Sequence, residues 1–457
     1  MKEGHTMATP HFDVEFTKDG DIFQPSQIDE LLAGLGPVTD LLILSHGWNN
    51  DKADASQLYD ELLGNIDKLL DLRNQPSVPA PLQDLVDRLR DRNFAAVRIF
   101  WPSKKFTDAD LIPGGGAASA AAEAENAAAV NRILDRLKDD PHLLGGADRN
   151  PAHVAAMERA KALVSQLATT DAKREFVQLL RSILDPSMKE KDDASAGFFA
   201  VDAETLFENA QTAVVAPAAP GGGAGAGSSL GNGGAAGLGD LLSGVQAAAR
   251  RIANFATYYQ MKSRAGIIGS KGVADLLRRV RGAKAAIRIH LVGHSFGGRL
   301  VTAAAHAFPV NTDLVTMSLL QAAFSHNGLS DGFGEDPKEQ GFFRAIVDEK
   351  RICGPIIITH TKNDKAVGIA YPLASRIAGQ NAAALGDQND PYGGMGRNGA
   401  QNTKEADNQF TLGLPGTRYS FEKGKIHNIS SDLIKDHSDV RRIEVAYAIL
   451  SAAGSVA

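Results

Sequence analysis

Gly293-His-Ser-Phe-Gly297 is the run whose residue types and spacing could do covalent chemistry. A serine hydroxyl is a weak nucleophile until a base takes its proton, and it works best held clear of the chain on a sharp turn. Here the serine follows an apolar stretch, 287–292, and precedes an alanine-rich one, 298–308. That context predicts a strand, a tight turn with Ser295 at its apex, and a helix. Gly293 and Gly297, two residues either side, remove side chains that would collide in such a turn. The helix start is a favourable place for an oxyanion, which suits attack of Ser295 on an acyl carbonyl.

The remaining parts of that chemistry have candidates elsewhere in the chain. An oxyanion needs two donors. The backbone N–H of Phe296, next after the serine, is one. The other is expected from the loop after an early strand, where Ser45-His-Gly-Trp-Asn-Asn50 follows the apolar run 41–44. Gly47 lets that backbone approach closely, Trp48 supplies the N–H, and His46 is a supporting residue beside them. For the acid, Asp364 ends His360-Thr-Lys-Asn-Asp364, just past the strand candidate 355–359, while Asp331 and Asp336 are its rivals. Only His427 and His437 follow Asp364 as bases. His427 sits inside strand patterning and His437 in a loop, so His437 is favoured.

These residues need a scaffold, and the patterning predicts an α/β fold with a mostly parallel central sheet. Short apolar runs at 41–44, 95–100, 287–292, 314–320 and 355–359 read as strands buried on both faces. A last strand is expected within 418–429, interrupted by Gly424, and a hairpin within 11–23 around Lys18-Asp19-Gly20. Leu58, Leu62, Leu63, Ile66, Leu69 and Leu70 mark one helix, and a shorter one precedes 95–100. Val440, Ile443, Tyr447 and Leu450 mark the last. Between 107 and 254 no strand pattern occurs, and helical faces such as Val130, Ile133, Leu134, Leu137 and Phe176, Val177, Leu180, Leu184 take over. The expected organisation is a tail at 1–10, a core of 11–106 with 255–457, and a helical insertion at 107–254 carrying a flexible loop near 220–239. Residues 390–399, rich in glycine and asparagine, read as a loop.

The glycine–serine motif, its strand and helix, and the order serine, acid, histidine together resemble the α/β-hydrolase superfamily over the whole chain except the insertion. The resemblance implies Ser295 as nucleophile, His437 as general base, Asp364 as its acid, and Trp48 with Phe296 as oxyanion donors, with the insertion as a cap or lid. It implies a carboxylic ester hydrolase, esterase- or lipase-like, acting on a small-molecule ester without cofactor. The alanine-rich insertion favours a hydrophobic acyl group. Acyl transfer by the same residues and a non-catalytic scaffold on the same fold are the alternatives.

Composition narrows the rest. A charge of −6, from 48 Lys plus Arg against 54 Asp plus Glu, offers no electrostatic reason for nucleic-acid binding. The one cysteine, Cys353, excludes a disulfide framework and is expected in the core at the head of an apolar run. No metal motif and no stretch of about 18 apolar residues occurs, so a cytoplasmic protein without a membrane span or a bound metal is expected.

Overall fold

The computed structural model describes residues 9–103, 120–143, 149–186, 190–193, 195–211, 244–309, 314–334, 338–364, 366–367 and 392–456. The expected loop at 220–239, the first eight residues of the expected tail and the rival acid Asp336 lie outside the described residues.

Among the described residues eight strands form one sheet: β1 (His11–Glu15), β2 (Asp40–Ser45), β3 (Phe94–Phe100), β4 (Arg288–His294), β5 (Leu314–Leu320), β6 (Ile356–His360), β7 (Ala406–Thr411) and β8 (Ile426–Ser430). Their order is β1-β3-β2-β4-β5-β6-β8-β7, and every neighbouring pair is parallel. The class is therefore α/β.

The apolar runs have a simple cause. Successive side chains of a strand point to opposite faces, so a strand covered on both sides must be apolar throughout. Leu41 and Ile43 of β2 enter one core with Ala95, Val97 and Ile99 of β3. Leu42 and Leu44 enter another with Phe94, Ala96 and Phe100. Helices α1 (Pro25–Gly34), α2 (Lys52–Leu70) and α3 (Gln83–Leu89) cover the first strands. α1 closes the first core through Ile28 and Leu31. α2 and α3 close the second, through residues such as Leu62 and Leu85.

The main elements described after β3 are helices: α4 (Ala120–Lys138), α5 (Pro151–Leu163), α6 (Thr170–Ser182), α7 (Ser195–Ala200), α8 (Ala203–Gln211) and α9 (Val245–Ile267). Val130, Met157, Phe176, Phe198, Phe207 and Ile252 close a third core among these helices. α9 belongs to both parts, since Ala256 and Tyr259 join that third core while Met261 and Ala265 join the first. One continuous helix crosses residue 254. α9 passes through a π-helical segment, Ile268–Val273, into α10 (Ala274–Ala283). α11 (Phe296–Ala307) follows β4, and α12 (Ile443–Gly454) closes the second core. Among the described residues no helix is long and apolar enough to cross a membrane.

Several expectations need correction. Residues 11–23 are not a two-stranded hairpin: β1 pairs in parallel with β3, and only one antiparallel bridge, Phe16 with Ile22, closes the Lys18–Gly20 turn. The last strand begins only at Ile426, because Gly424 at φ +70° turns the chain before it. Cys353 is exposed rather than buried, since the buried run of that strand starts beyond it. Residues 392–399 are more than a loop. Met395 is fully buried at the head of a helical turn, Met395–Asn398, with Gly396 N–H on Ala322 O at 2.9 Å.

Candidate active site

All eight strands run the same way, so the loops after their carboxyl ends share one rim of the sheet, the usual ligand edge of such sheets. Ser295 follows β4, Gly47 and Trp48 follow β2, Asp364 follows β6 and His437 follows β8.

Ser295 has φ +57° and ψ −126°, a left-handed backbone that a non-glycine residue adopts at a cost of about 1–3 kcal/mol. The turn is held in place by its own peptide groups. Ser295 N–H donates to Leu320 O at 3.0 Å, and Ala323 N–H and Gly298 N–H both donate to Ser295 O at 3.0 Å. The flanking glycines are required by space. A Cβ on Gly293 would lie 2.3 Å from Gly297 O, and one on Gly297 would lie 2.2 Å from Ser45 O. Both obstacles are backbone and cannot rotate away. Gly297→Ala is expected to destabilise the fold by about 1–3 kcal/mol as overpacking. Gly64→Ala, where nothing lies within 4 Å, should instead be neutral or stabilising. Melting curves of the two variants check this, and an unchanged curve for Gly297→Ala would contradict the packing described.

Gly47 lies directly on the serine: a Cβ there would sit 2.5 Å from Ser295 Cβ and 3.0 Å from its Oγ. Any side chain would collide with the serine. The Trp48 ring meets the Phe296 ring edge-on at 5.8 Å, so both expected oxyanion residues sit beside each other at the apex. His46 is buried and braces this loop. Its Nδ1–H donates to Gly47 O at 2.8 Å, Trp101 N–H donates to its Nε2 at 3.3 Å, and its ring stacks on Trp101. Burial lowers its pKa to about 4, so it is neutral near neutral pH and acts as a strut.

Asp364 is fully buried. Its Oδ1 accepts Val367 N–H at 2.9 Å, and its Oδ2 accepts His437 Nδ1–H at 2.8 Å. That contact engages Nδ1 and leaves Nε2 as the ring atom open to another partner. Asn363, one residue before the acid, donates from Nδ2 to Ile434 O at 3.1 Å and so ties the start of the histidine loop to the acid's turn. The rival Asp331 takes no part: its N–H donates to Asn402 O and its carboxylate faces Lys404 at 3.6 Å. His427 lies within β8, with its Nε2 accepting Glu422 N–H at 2.9 Å and its ring 5.1 Å from both Phe410 and Phe421. Acid and histidine are thus brought together as Asp364 and His437. Among the described residues no hydrogen bond joins His437 to Ser295 Oγ; such contacts commonly tighten only when substrate is bound.

Sequence reasoning did not single out His294, which lies between the glycine and the serine of the motif. It is buried, its Nε2–H donates to His437 O at 2.8 Å, and the two rings lie 4.9 Å apart. Burial lowers its pKa to about 3. Its position in the motif was visible, but its partner lies 143 residues away.

Comparison with protein-family models, curated proteins and solved structures finds no match, so the functional reading rests on this geometry.

Proposed function

We propose that the chain is a serine hydrolase of the α/β-hydrolase type, cleaving a carboxylic ester through an acyl-serine intermediate. The observation that carries this reading is the 2.8 Å bond between His437 and buried Asp364, on the same rim as the left-handed Ser295. A strained serine alone could be structural. A strained serine at a helix start, with an imidazole oriented by a carboxylate beside its motif, is the set that acyl transfer needs.

In this mechanism Ser295 Oγ attacks the ester carbonyl while His437 Nε2 takes its proton. The carbonyl oxygen becomes an anion held by the Phe296 and Trp48 N–H groups at the positive end of α11. Collapse breaks the bond to the alcohol, which leaves with the proton from His437. Water then attacks the acyl-serine, with His437 again as base, and releases the acid. Asp364 keeps the imidazole in the Nδ1–H tautomer and stabilises its cation. Replacing water by another alcohol would turn the same steps into acyl transfer.

The helices α4–α9 would serve as the cap. Their own core, and the packing of Tyr258 on the Phe296 ring at 5.1 Å, support this assignment. Ion pairs fasten them to the nucleophile helix: Arg299 of α11 pairs with buried Glu190, which also meets Lys262 of α9 at 3.0 Å. The aromatic character next to Phe296 favours a hydrophobic acyl group.

A fluorophosphonate reagent tests the proposal, since it phosphonylates only serines activated in this way. Intact-mass spectrometry should show one adduct on the native chain, mapping to Ser295, and none on Ser295→Ala. A native chain left unmodified at neutral pH would sink the serine hydrolase reading.

A further inference from the structure

The base-bearing loop must travel far to serve the serine. β8 and β4 are not neighbours; β5 and β6 lie between them, so three strand spacings, about 14 Å, separate their axes. Asn363 and Asp364 hold that loop from β6, on its near side. Something must hold it from the far side, where the serine is. Among the described residues one hydrogen bond joins the motif 293–297 to the loop 431–439, and it is the bond from His294 Nε2–H to His437 O at 2.8 Å.

We propose that His294 is a positioning residue, which sets the place of the His437 imidazole relative to Ser295 by gripping the backbone carbonyl of His437. This deepens the serine hydrolase reading and rests on it. Two further observations support the role. His294 Nδ1 is buried without a hydrogen-bond partner among the described residues, so the bond from Nε2 is the ring's one polar tie there. The contact itself sets the tautomer: a carbonyl oxygen only accepts, so the nitrogen facing it, Nε2, carries the hydrogen. Geometry completes the argument. His294 ends β4 one residue before the nucleophile, so the donor and Ser295 Oγ move as one rigid unit, and a loop fixed to one is fixed to the other. A ring contact of 4.9 Å between His294 and His437 leaves the imidazole of the base lying against its anchor.

A histidine that merely filled space could be replaced by any ring of its size. His294→Phe keeps an aromatic ring, slightly larger, and removes the donor; His294→Gln removes the ring and puts an amide N–H near the position of Nε2. The experiment measures kcat and KM on an ester that the native chain turns over, for protein shown folded by its melting curve. His294→Phe is expected to lose roughly 10–100-fold in kcat with KM nearly unchanged, the scale of a base displaced by about an ångström. His294→Gln should restore kcat to within about threefold of the native value, because the displacement is what costs rate. The downfield NMR signal of His437 Nδ1–H, sharp in the native chain and in His294→Gln, should broaden in His294→Phe. It gives a reading independent of turnover. Equal losses in the two variants, or none in either, with the signal unchanged, would overturn the positioning role while leaving the nucleophile intact. A native chain that neither turns over esters nor takes the fluorophosphonate would instead sink the underlying reading.

Discussion

Ser295→Ala is expected to lower ester turnover on the order of 10⁶-fold, leaving only what binding and the oxyanion donors provide. The fold should hardly notice. Ser295 makes no side-chain cap to α11, and its Oγ has no hydrogen bond among the described residues. The turn is held by peptide groups, Leu320 O, Ala323 N–H and Gly298 N–H, which alanine keeps. Alanine and serine also bear the left-handed φ of +57° at similar cost. A large kinetic loss with a small change in melting temperature is therefore the signature of a chemical rather than a structural serine. Turnover and thermal melting on the same preparation check it, and a variant that keeps a tenth of native turnover would end the assignment.

His437→Ala should fall nearly as far, on the order of 10⁶-fold, and Asp364→Asn roughly 10⁴-fold, because an amide at that position mis-sets the imidazole tautomer. His427→Ala should not approach either loss. Its ring packs against Phe410 and Phe421 inside the sheet, so its removal costs stability rather than rate. The pH profile gives an independent check. Only neutral imidazole can accept the serine proton, so kcat/KM should rise with pH along an acid limb. His46, lowered to about 4, and His294, lowered to about 3, are already neutral well below pH 6 and cannot produce a limb there. With His437 as the base, the residual activity of His437→Ala should lack that limb. A limb unchanged in that variant, or a larger loss from His427→Ala, would move the base elsewhere.

The elements that were legible from the chain alone are those whose environment is uniform along their length. β2, β3, β4 and β5 are buried on both faces, and that leaves a continuous apolar run in the sequence. Ser295 was legible too, since a strand, two glycines and a helix around it are all local. β7 was not. It is an edge strand of Ala-Asp-Asn-Gln-Phe-Thr, half exposed, whose pairing with β8 supplies what its own side chains lack. Cys353 was misplaced for a related reason, since an apolar residue next to a buried strand need not share its burial.

The choice between two acids and two histidines was of another kind. Local patterning favoured His437 over His427 and placed Asp364 just past a strand, but spacing alone cannot show which acid faces which histidine. Strand order decides. β6 and β8 are neighbours, so the turn after β6 and the loop after β8 emerge side by side and Asp364 meets His437. The same order leaves β5 and β6 between the base and the serine, and so creates the gap that His294 spans. A side chain's type and its immediate neighbours are written in the chain; its partner across the sheet depends on how eight strands are ordered, a long-range outcome of packing that no short window of residues contains.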